Sequence, residues 1–328
     1  MQARQVFFPK KGEAAFETVD LPAVGENQVM VEMIASVISP GTELAWLHGL
    51  PNTPAQYPMR IAYCSCGKVV KKGQAVKDLN IGDRVAHEGL HATAAVLDAV
   101  QCTKVPDGVK AEEAACFSLI AIALQGVRKA QICLGDSAAV LGLGIIGNIS
   151  GQLAKLCGAL NVVGIDPVDW RQEIAIKCGY DSTAGNVKEA IKKTEGQEGF
   201  EAVIEASGVP EAVPQSFEAA KLFGKVILSG STRGITEQVD FYTLVHRKGL
   251  TIIGAHNFRR PKTDDMFVVK TSKTDHRVAL QLLSLGRVKI SPLISDKIPS
   301  AEAPSAYKRL SARKEKLITI ALDWTAKR

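Results

Sequence analysis

Residues 35–44 read Ala-Ser-Val-Ile-Ser-Pro-Gly-Thr-Glu-Leu. The stretch delivers two hydroxyls, Ser39 and Thr42, and the carboxylate of Glu43 at the end of an apolar run. Such a set suits an oxygen-rich small molecule and the movement of its protons. Pro40-Gly41 reads as a turn. The competing role is structural: Glu43 pairs with a nearby cation and organises the backbone. Further proton carriers are His87 and His91, in His87-Glu88-Gly-Leu-His91, and Tyr63. An imidazole titrates near neutrality without tuning. A tyrosine needs a shift of about 3 units to act as a base at pH 7, and none to act as an acid. A histidine is therefore the better acceptor when an alcohol is oxidised, and Tyr63 the better donor when a carbonyl is reduced. Glu88 adds a second carboxylate to a polar pocket with Thr42 and Glu43. His48, His246 and His276 read as surface or loop residues.

A second constellation is Gly142-Leu143-Gly144-Ile145-Ile146-Gly147. On its own the spacing is weak. Here it follows the strand-like Ala138-Ala-Val-Leu and opens a helical segment, as a dinucleotide-binding turn requires. The first glycine makes the turn, the second admits a pyrophosphate, and the third packs helix on strand. The helix N-terminus offers free N–H groups. Asp166 ends the next strand, 24 positions after Gly142, where a carboxylate bonds the ribose hydroxyls of NAD and repels a 2′-phosphate. NAD is the expected cofactor, ahead of NADP; Arg171 could stack on the adenosine or soften that preference. His256, in Gly-Ala-His-Asn after the last strand of this region, could approach the nicotinamide. The alternative is a glycine-rich turn with a surface aspartate.

The elements around these residues change character along the chain. The first hundred residues hold short strands punctuated by Gly67, Gly73 and Gly82, with Gln28–Ala35 alternating as a half-buried strand does. Glu112–Gln125 reads as one buried helix. Strands at 138–141, 161–166, 202–205, 225–228 and 250–253 then alternate with helices, which predicts a doubly wound parallel sheet of about six strands. A helix at 278–285 and a strand at 317–322 close the chain. The tail is too short for a domain of its own, so it is expected to rejoin the first. The predicted class is α/β: a mainly β domain over 1–118 and 256–328, with an inserted Rossmann domain over 119–255.

The chain has 328 residues, 46% apolar and 23% charged, with a net charge of +6. The basic run Tyr307–Lys316 carries apolar residues at helical spacing and reads as a solvated helix face, not a nucleic-acid patch. Neither a signal peptide nor a membrane span is expected. Seven irregularly spaced cysteines point to reduced thiols in the cytoplasm. In Cys64-Ser65-Cys66 the two thiols share a strand face and read as small buried residues, with a metal or redox pair as the lesser reading.

Gly67-Lys-Val-Val-Lys-Lys-Gly73, Gly82-Asp-Arg-Val85, the Gly142–Gly147 turn, Gly224–Gly230 and Leu250-Thr-Ile-Ile-Gly254 together resemble the medium-chain dehydrogenase/reductase superfamily. The resemblance spans essentially the whole chain. It implies a GroES-like catalytic domain holding a Rossmann domain, and dimers formed through the last Rossmann strand. "SPGTE" is similar to a branch typified by bacteriochlorophyllide a dehydrogenase-like proteins. The resemblance puts Asp166 and Arg171 at the adenosine ribose, and Ser207, Gly230, Ser231 and Ala255 at the nicotinamide half. In zinc alcohol dehydrogenases of the superfamily a cysteine, a His-Glu pair and a second cysteine surround the catalytic metal. Those positions here become Ser39, Tyr63-Cys64 and Phe117, so Ser39 and Phe117 are expected to wall the substrate pocket. The structural-zinc lobe is missing. Neither a catalytic nor a structural zinc is therefore expected; Cys64, Cys116 and one of His87 or His91 form the one improvised alternative. The expected activity is zinc-independent, NAD-dependent interconversion of a polar secondary alcohol and its ketone. An alkene or quinone reductase is the runner-up, and a dinucleotide-binding protein without turnover the third reading.

Overall fold

The computed structural model describes residues 1–257 and 271–326. The chain is α/β and divides into two compact units: Met1–Leu119 with Lys273–Gly286 and Ile294–Arg328, and Ile120–Ser272 with Arg287–Leu293.

The first unit is mainly β. Its central strand, Gln28–Val37, pairs antiparallel with Ser65–Lys72, Ala94–Asp98 and Thr319–Asp323. Strands Arg84–His87 and Cys102–Lys104 extend the sheet on one side and Ile294–Pro299 on the other. Val29 and Val31, two apart and so on one face, join Val69, Leu79 and Val85 in an apolar interior. Beyond the strand end, Ile38 packs with Phe8, Leu47, Ile320 and Tyr307 in a second cluster.

The expected turn at Ser39-Pro40-Gly41 is instead the start of the helix Pro40–Leu47. Proline suits a first helical position, having no N–H to leave unpaired and a fixed φ. Ser39, extended, ends the strand segment, and its carbonyl accepts the first-turn N–H groups of Thr42 and Glu43 at 3.1 and 2.8 Å. The Glu43 carboxylate folds back to accept the Ser39 N–H at 2.7 Å, which satisfies the backbone donor just before the helix. The expected single helix over 112–125 is broken: Ala111–Ala115 ends at Cys116, and Phe117–Ala130 follows.

The second unit holds six parallel strands in the order Ser182–Ala184, Asn161–Ile165, Ser137–Leu141, Phe200–Glu205, Ala220–Leu228, Thr251–Gly254. Numbered within the unit, that is 3-2-1-4-5-6, the dinucleotide-binding order with its switch point between the first and fourth strands. Its core joins Val163, Ile165, Phe200, Val203, Phe217 and Val226.

The unit boundaries differ from the expected 119–255. The first falls inside the helix Phe117–Ala130, and the second unit runs on to Ser272, with 258–270 outside the described residues. It also reclaims Arg287–Leu293, because the buried Gln152 accepts the Lys289 N–H at 2.7 Å and donates to the Lys289 carbonyl at 3.1 Å.

Candidate functional site

In the second unit the glycine turn sits at the switch point. Gly142 has φ +89°, and a Cβ there would lie 2.6 Å from the Ser207 Cα. A Cβ on Gly147 would lie 1.9 Å from the Gly142 carbonyl oxygen, whereas one on Gly144 meets nothing within 4 Å. Two glycines are therefore demanded by packing and the middle one by nothing in the protein itself. Open space at Gly144 is what an approaching pyrophosphate needs. Gly144 caps the helix Ile145–Cys157 without a side-chain hydrogen bond, leaving the first-turn N–H groups for an anion. Leu143 is buried, and its N–H donates to Asp166 at 2.9 Å. Asp166 also accepts the Val168 N–H at 3.0 Å, with an Arg171 nitrogen 3.6 Å away. Arg171 lies 5.3 Å over the Trp170 ring. These residues fit an NAD-type dinucleotide.

Ser207, Gly230, Ser231, Ala255 and His256 all follow C-terminal strand ends of this sheet. The Ser207 hydroxyl and N–H both turn back onto Glu205. Gly230 is held tight, its N–H on the Glu205 carbonyl at 2.8 Å. Ala255 donates its N–H to the Leu228 carbonyl, and His256 is exposed with its carbonyl accepting from Gln125 at 3.4 Å. Glu205 itself is absent from the expected site residues. It is a fully buried carboxylate with one oxygen lacking a hydrogen-bond partner, and burial raises its pKa. Its signal in the sequence is a charge directly after the apolar run Ala202-Val-Ile204.

In the first unit the residues of the SPGTE stretch divide into two groups. Ser39, Thr42 and Tyr63 form a hydroxyl cluster: Tyr63 shares a short hydrogen bond with Ser39 and donates to Thr42 at 3.2 Å. Tyr63 and Thr42 are partly exposed. Burial, then the neighbouring Cys64, pushes the Tyr63 phenol pKa up, so this hydroxyl keeps its proton and acts as a donor. Glu43 instead points inward and is 0% exposed. One oxygen accepts the Ser39 N–H; the other accepts from His91 at 3.0 Å and from the Tyr307 hydroxyl. The other His91 nitrogen meets Ser36 Oγ at 2.8 Å, and Ser36 accepts the Trp324 indole N–H at 2.8 Å. Both ring nitrogens of His91 are thus occupied, one by Ser36 and the other by Glu43. Glu43 and His91, expected as proton carriers facing a substrate, are a buried pair that fixes the backbone of Ser39.

His87 is also displaced from its expected role. It ends the strand Arg84–His87 with no exposure, accepts the Gly89 N–H at 3.0 Å on Nδ1, and leaves Nε2 without a partner. Burial lowers its pKa to about 4, so it does not exchange protons at neutral pH. Glu88, next in sequence, has a side chain 42% exposed and accepts from Ser118 at 2.7 Å. His276, expected at the surface, is buried. It packs edge-on to the buried Phe117 ring, centroids 4.6 Å apart, with Nε2 3.4 Å from Glu88.

Zinc chemistry needs three or four N, S or O ligands. Among the described residues no three His, Cys, Asp or Glu side chains gather to hold a metal. The improvised alternative is not assembled among the described residues: Cys116 Sγ lies 3.6 Å from the Glu112 carbonyl, and His91 is committed to Glu43 and Ser36. The described residues do not fit a zinc ion.

A family model described as "Zinc-binding dehydrogenase" matches residues 146–269. D-guloside 3-dehydrogenase of Escherichia coli (strain K12) is 28% identical, over 74% of this chain and 70% of that protein. D-xylulose reductase of Saccharomyces cerevisiae is 24% identical over 93% of both. Among solved structures, a putative zinc-binding dehydrogenase from Sinorhizobium meliloti bound to NADP is 25% identical with TM-score 0.82, covering 98% of this chain and 99% of the other. Galactitol-1-phosphate dehydrogenase from Escherichia coli shares the fold at TM-score 0.84 and 19% identity, with the same coverage. By these matches the chain is similar to dehydrogenases of the medium-chain, zinc-binding type. The family-model match begins after Ser39, Tyr63, Cys64 and Phe117, the positions at which this chain departs from the zinc-ligand pattern.

Proposed function

We propose that the chain is a zinc-independent dehydrogenase that interconverts a polar secondary alcohol and its ketone, with NAD preferred to NADP. The observation that carries this is the Ser39–Tyr63–Thr42 hydroxyl cluster, in which Ser39 and Tyr63 stand at metal-ligand positions by resemblance. A bound nicotinamide supplies the hydride acceptor or donor. Tyr63 holds the substrate oxygen by turning its one O–H from Thr42 to that oxygen, while the Ser39 hydroxyl donates to the phenol oxygen and keeps it oriented. One well-placed donor to a developing oxyanion contributes about 3–4 kcal/mol, the order of what a Lewis acid adds. The relatives named for guloside and xylulose chemistry support an oxygen-rich substrate, as does the cluster of three hydroxyls.

Asp166 supports NAD; the Sinorhizobium meliloti structure holds NADP, so both dinucleotides belong in the test. A second copy of the chain is expected to pair along the sheet-edge strand Thr251–Gly254, where Thr251 and Ile252 are exposed. All seven cysteines are free thiols, which suits a reducing compartment such as the cytoplasm. No helix among the described residues is long and apolar enough to cross a membrane.

The test is NADH and NADPH consumption, before and after EDTA, on matched polar ketones and enones. Turnover of ketones that survives EDTA supports the proposal. Turnover of enones alone makes the chain an alkene reductase, and loss of activity with EDTA restores a metal. Dinucleotide binding with no turnover across the panel leaves a binding protein.

A further inference from the structure

Glu205 ends the strand Phe200–Glu205 as a fully buried carboxylate. Three turns of the second unit meet around it. Its Oε1 accepts both donors of Ser207, the N–H at 2.8 Å and the hydroxyl. Its backbone carbonyl accepts the N–H groups of Ser229 and Gly230 at 2.9 and 2.8 Å. Oε2 lies against Gly230, where a Cβ would stand 2.7 Å from that oxygen and 2.7 Å from the Gly208 nitrogen. The Gly208 N–H faces the carboxyl but closes no hydrogen bond of ordinary geometry on Oε2. Gly142 packs on Ser207 so closely that a Cβ there would be 2.6 Å from the Ser207 Cα. The carboxyl thus fixes Ser207, and Ser207 walls the glycine turn. Burying a half-paired carboxyl costs stability, and what it provides here is the placement of those turns.

The sheet order says which half of a dinucleotide these turns serve. Asp166 follows the strand Asn161–Ile165, on one side of the central strand Ser137–Leu141, and Glu205 ends the strand on the other side. An acid at the place of Asp166 holds the adenosine ribose, and the glycine turn takes the pyrophosphate. The remaining half, the nicotinamide nucleoside, must extend over the turns at Ser207 and Gly230. We propose that Glu205 is the positioning residue for that half, holding the Ser207–Gly208 and Ser229–Gly230 turns in their binding arrangement before the ligand arrives. This rests on the dinucleotide reading above and adds the residue that pre-forms its nicotinamide side. The carboxyl is sealed from the ligand and acts only through Ser207 and the backbone it holds. Turns already ordered lose less entropy on binding, which raises affinity.

The experiment is calorimetric titration of NADH and of ADP, which lacks the nicotinamide nucleoside, into wild type, Glu205→Met, Glu205→Ala and Glu205→Gln, with Tm alongside. Glu205→Met fills the space and removes the acceptor, whereas Glu205→Gln keeps one oxygen for Ser207. We expect NADH Kd to rise about tenfold or more in Glu205→Met and Glu205→Ala while ADP Kd stays within about twofold. Glu205→Gln should recover most of the NADH affinity. Either removal variant that folds carries the comparison; if neither folds, the carboxyl is a folding residue and the proposal is overturned. Equal weakening of NADH and ADP in step with Tm overturns it as well, as does a Glu205→Gln no better than Glu205→Met. Wild-type NADH affinity in Glu205→Met sinks this inference and leaves the dinucleotide reading standing. A wild type that binds neither ligand overturns both.

Discussion

The carboxylate of Glu43 and the imidazole of His91 stand 3.0 Å apart with no exposed side-chain surface on either. The pair is closed by Tyr307, Ser36 and the Ser39 N–H. Three donors converge on one carboxylate, so removing it strands all three. Breaking a buried, hydrogen-bonded pair by deleting one partner costs about 3–5 kcal/mol. Glu43→Ala should lower the unfolding free energy measured by urea titration by that order, and His91→Ala by a similar amount. The two together should cost less than the sum of the single losses. Additive losses in a double-mutant cycle would show that the two groups do not interact.

The pH dependence of stability has a distinct source in His87. Its folded pKa of about 4 lies below the ordinary value of about 6.5. Between those values the unfolded chain holds a proton that the folded chain does not. Stability is therefore full above about pH 6.5, declines as pH falls towards 4, and loses nothing more to this group below that. The total is on the order of 3 kcal/mol. Urea unfolding at pH 7.5 and pH 5 should show a smaller difference for His87→Gln than for wild type. Equal differences would mean that His87 is not buried neutral.

The dinucleotide cradle is legible in the sequence because its determinants are local. Strand, glycine spacing, helix and Asp166 fall within about 30 residues, and each glycine answers to a close backbone approach or an open space. The first unit is harder to read because its site is assembled from long-range pairs. Glu43 and Tyr307 are 264 positions apart. Tyr307 opens a run whose charges suggest a solvated helix face. Yet Ala303, Ala306, Tyr307 and Leu310 line the buried side of the helix Ala303–Ala312, and their i, i+3, i+4, i+7 spacing was the available signal. His276 gives none, since nothing near it in sequence announces Phe117 or Glu88. Pro40 suits both a turn and a helix start. The capping return of Glu43 onto Ser39 decides between the two.

Tyr63→Phe removes only a hydroxyl. If that hydroxyl holds the substrate oxygen, kcat should fall about 10²–10³-fold, the effect of losing one oxyanion donor, while dinucleotide Kd stays unchanged. Burial and Cys64 push the phenol upward, so Tyr63 adds no alkaline loss of activity below its ordinary titration range near pH 10. Unchanged kcat in Tyr63→Phe would remove the cluster from the chemistry.

The glycine turn separates folding from binding. A Cβ on Gly147 would sit 1.9 Å from the Gly142 oxygen, between helix and strand, and backbone cannot move aside there without dismantling the turn. Gly147→Ala should lower Tm by several degrees and weaken every function of the second unit. A Cβ on Gly144 meets no protein atom within 4 Å, so Gly144→Ala should fold with an unchanged Tm. The added methyl nevertheless stands where a pyrophosphate would approach the free N–H groups of the helix Ile145–Cys157, and dinucleotide Kd should rise about tenfold or more, roughly 1.4 kcal/mol. Fluorescence titration with NADH and thermal unfolding of the two variants read these effects separately. Undiminished NADH affinity in Gly144→Ala would mean that the dinucleotide does not use this turn.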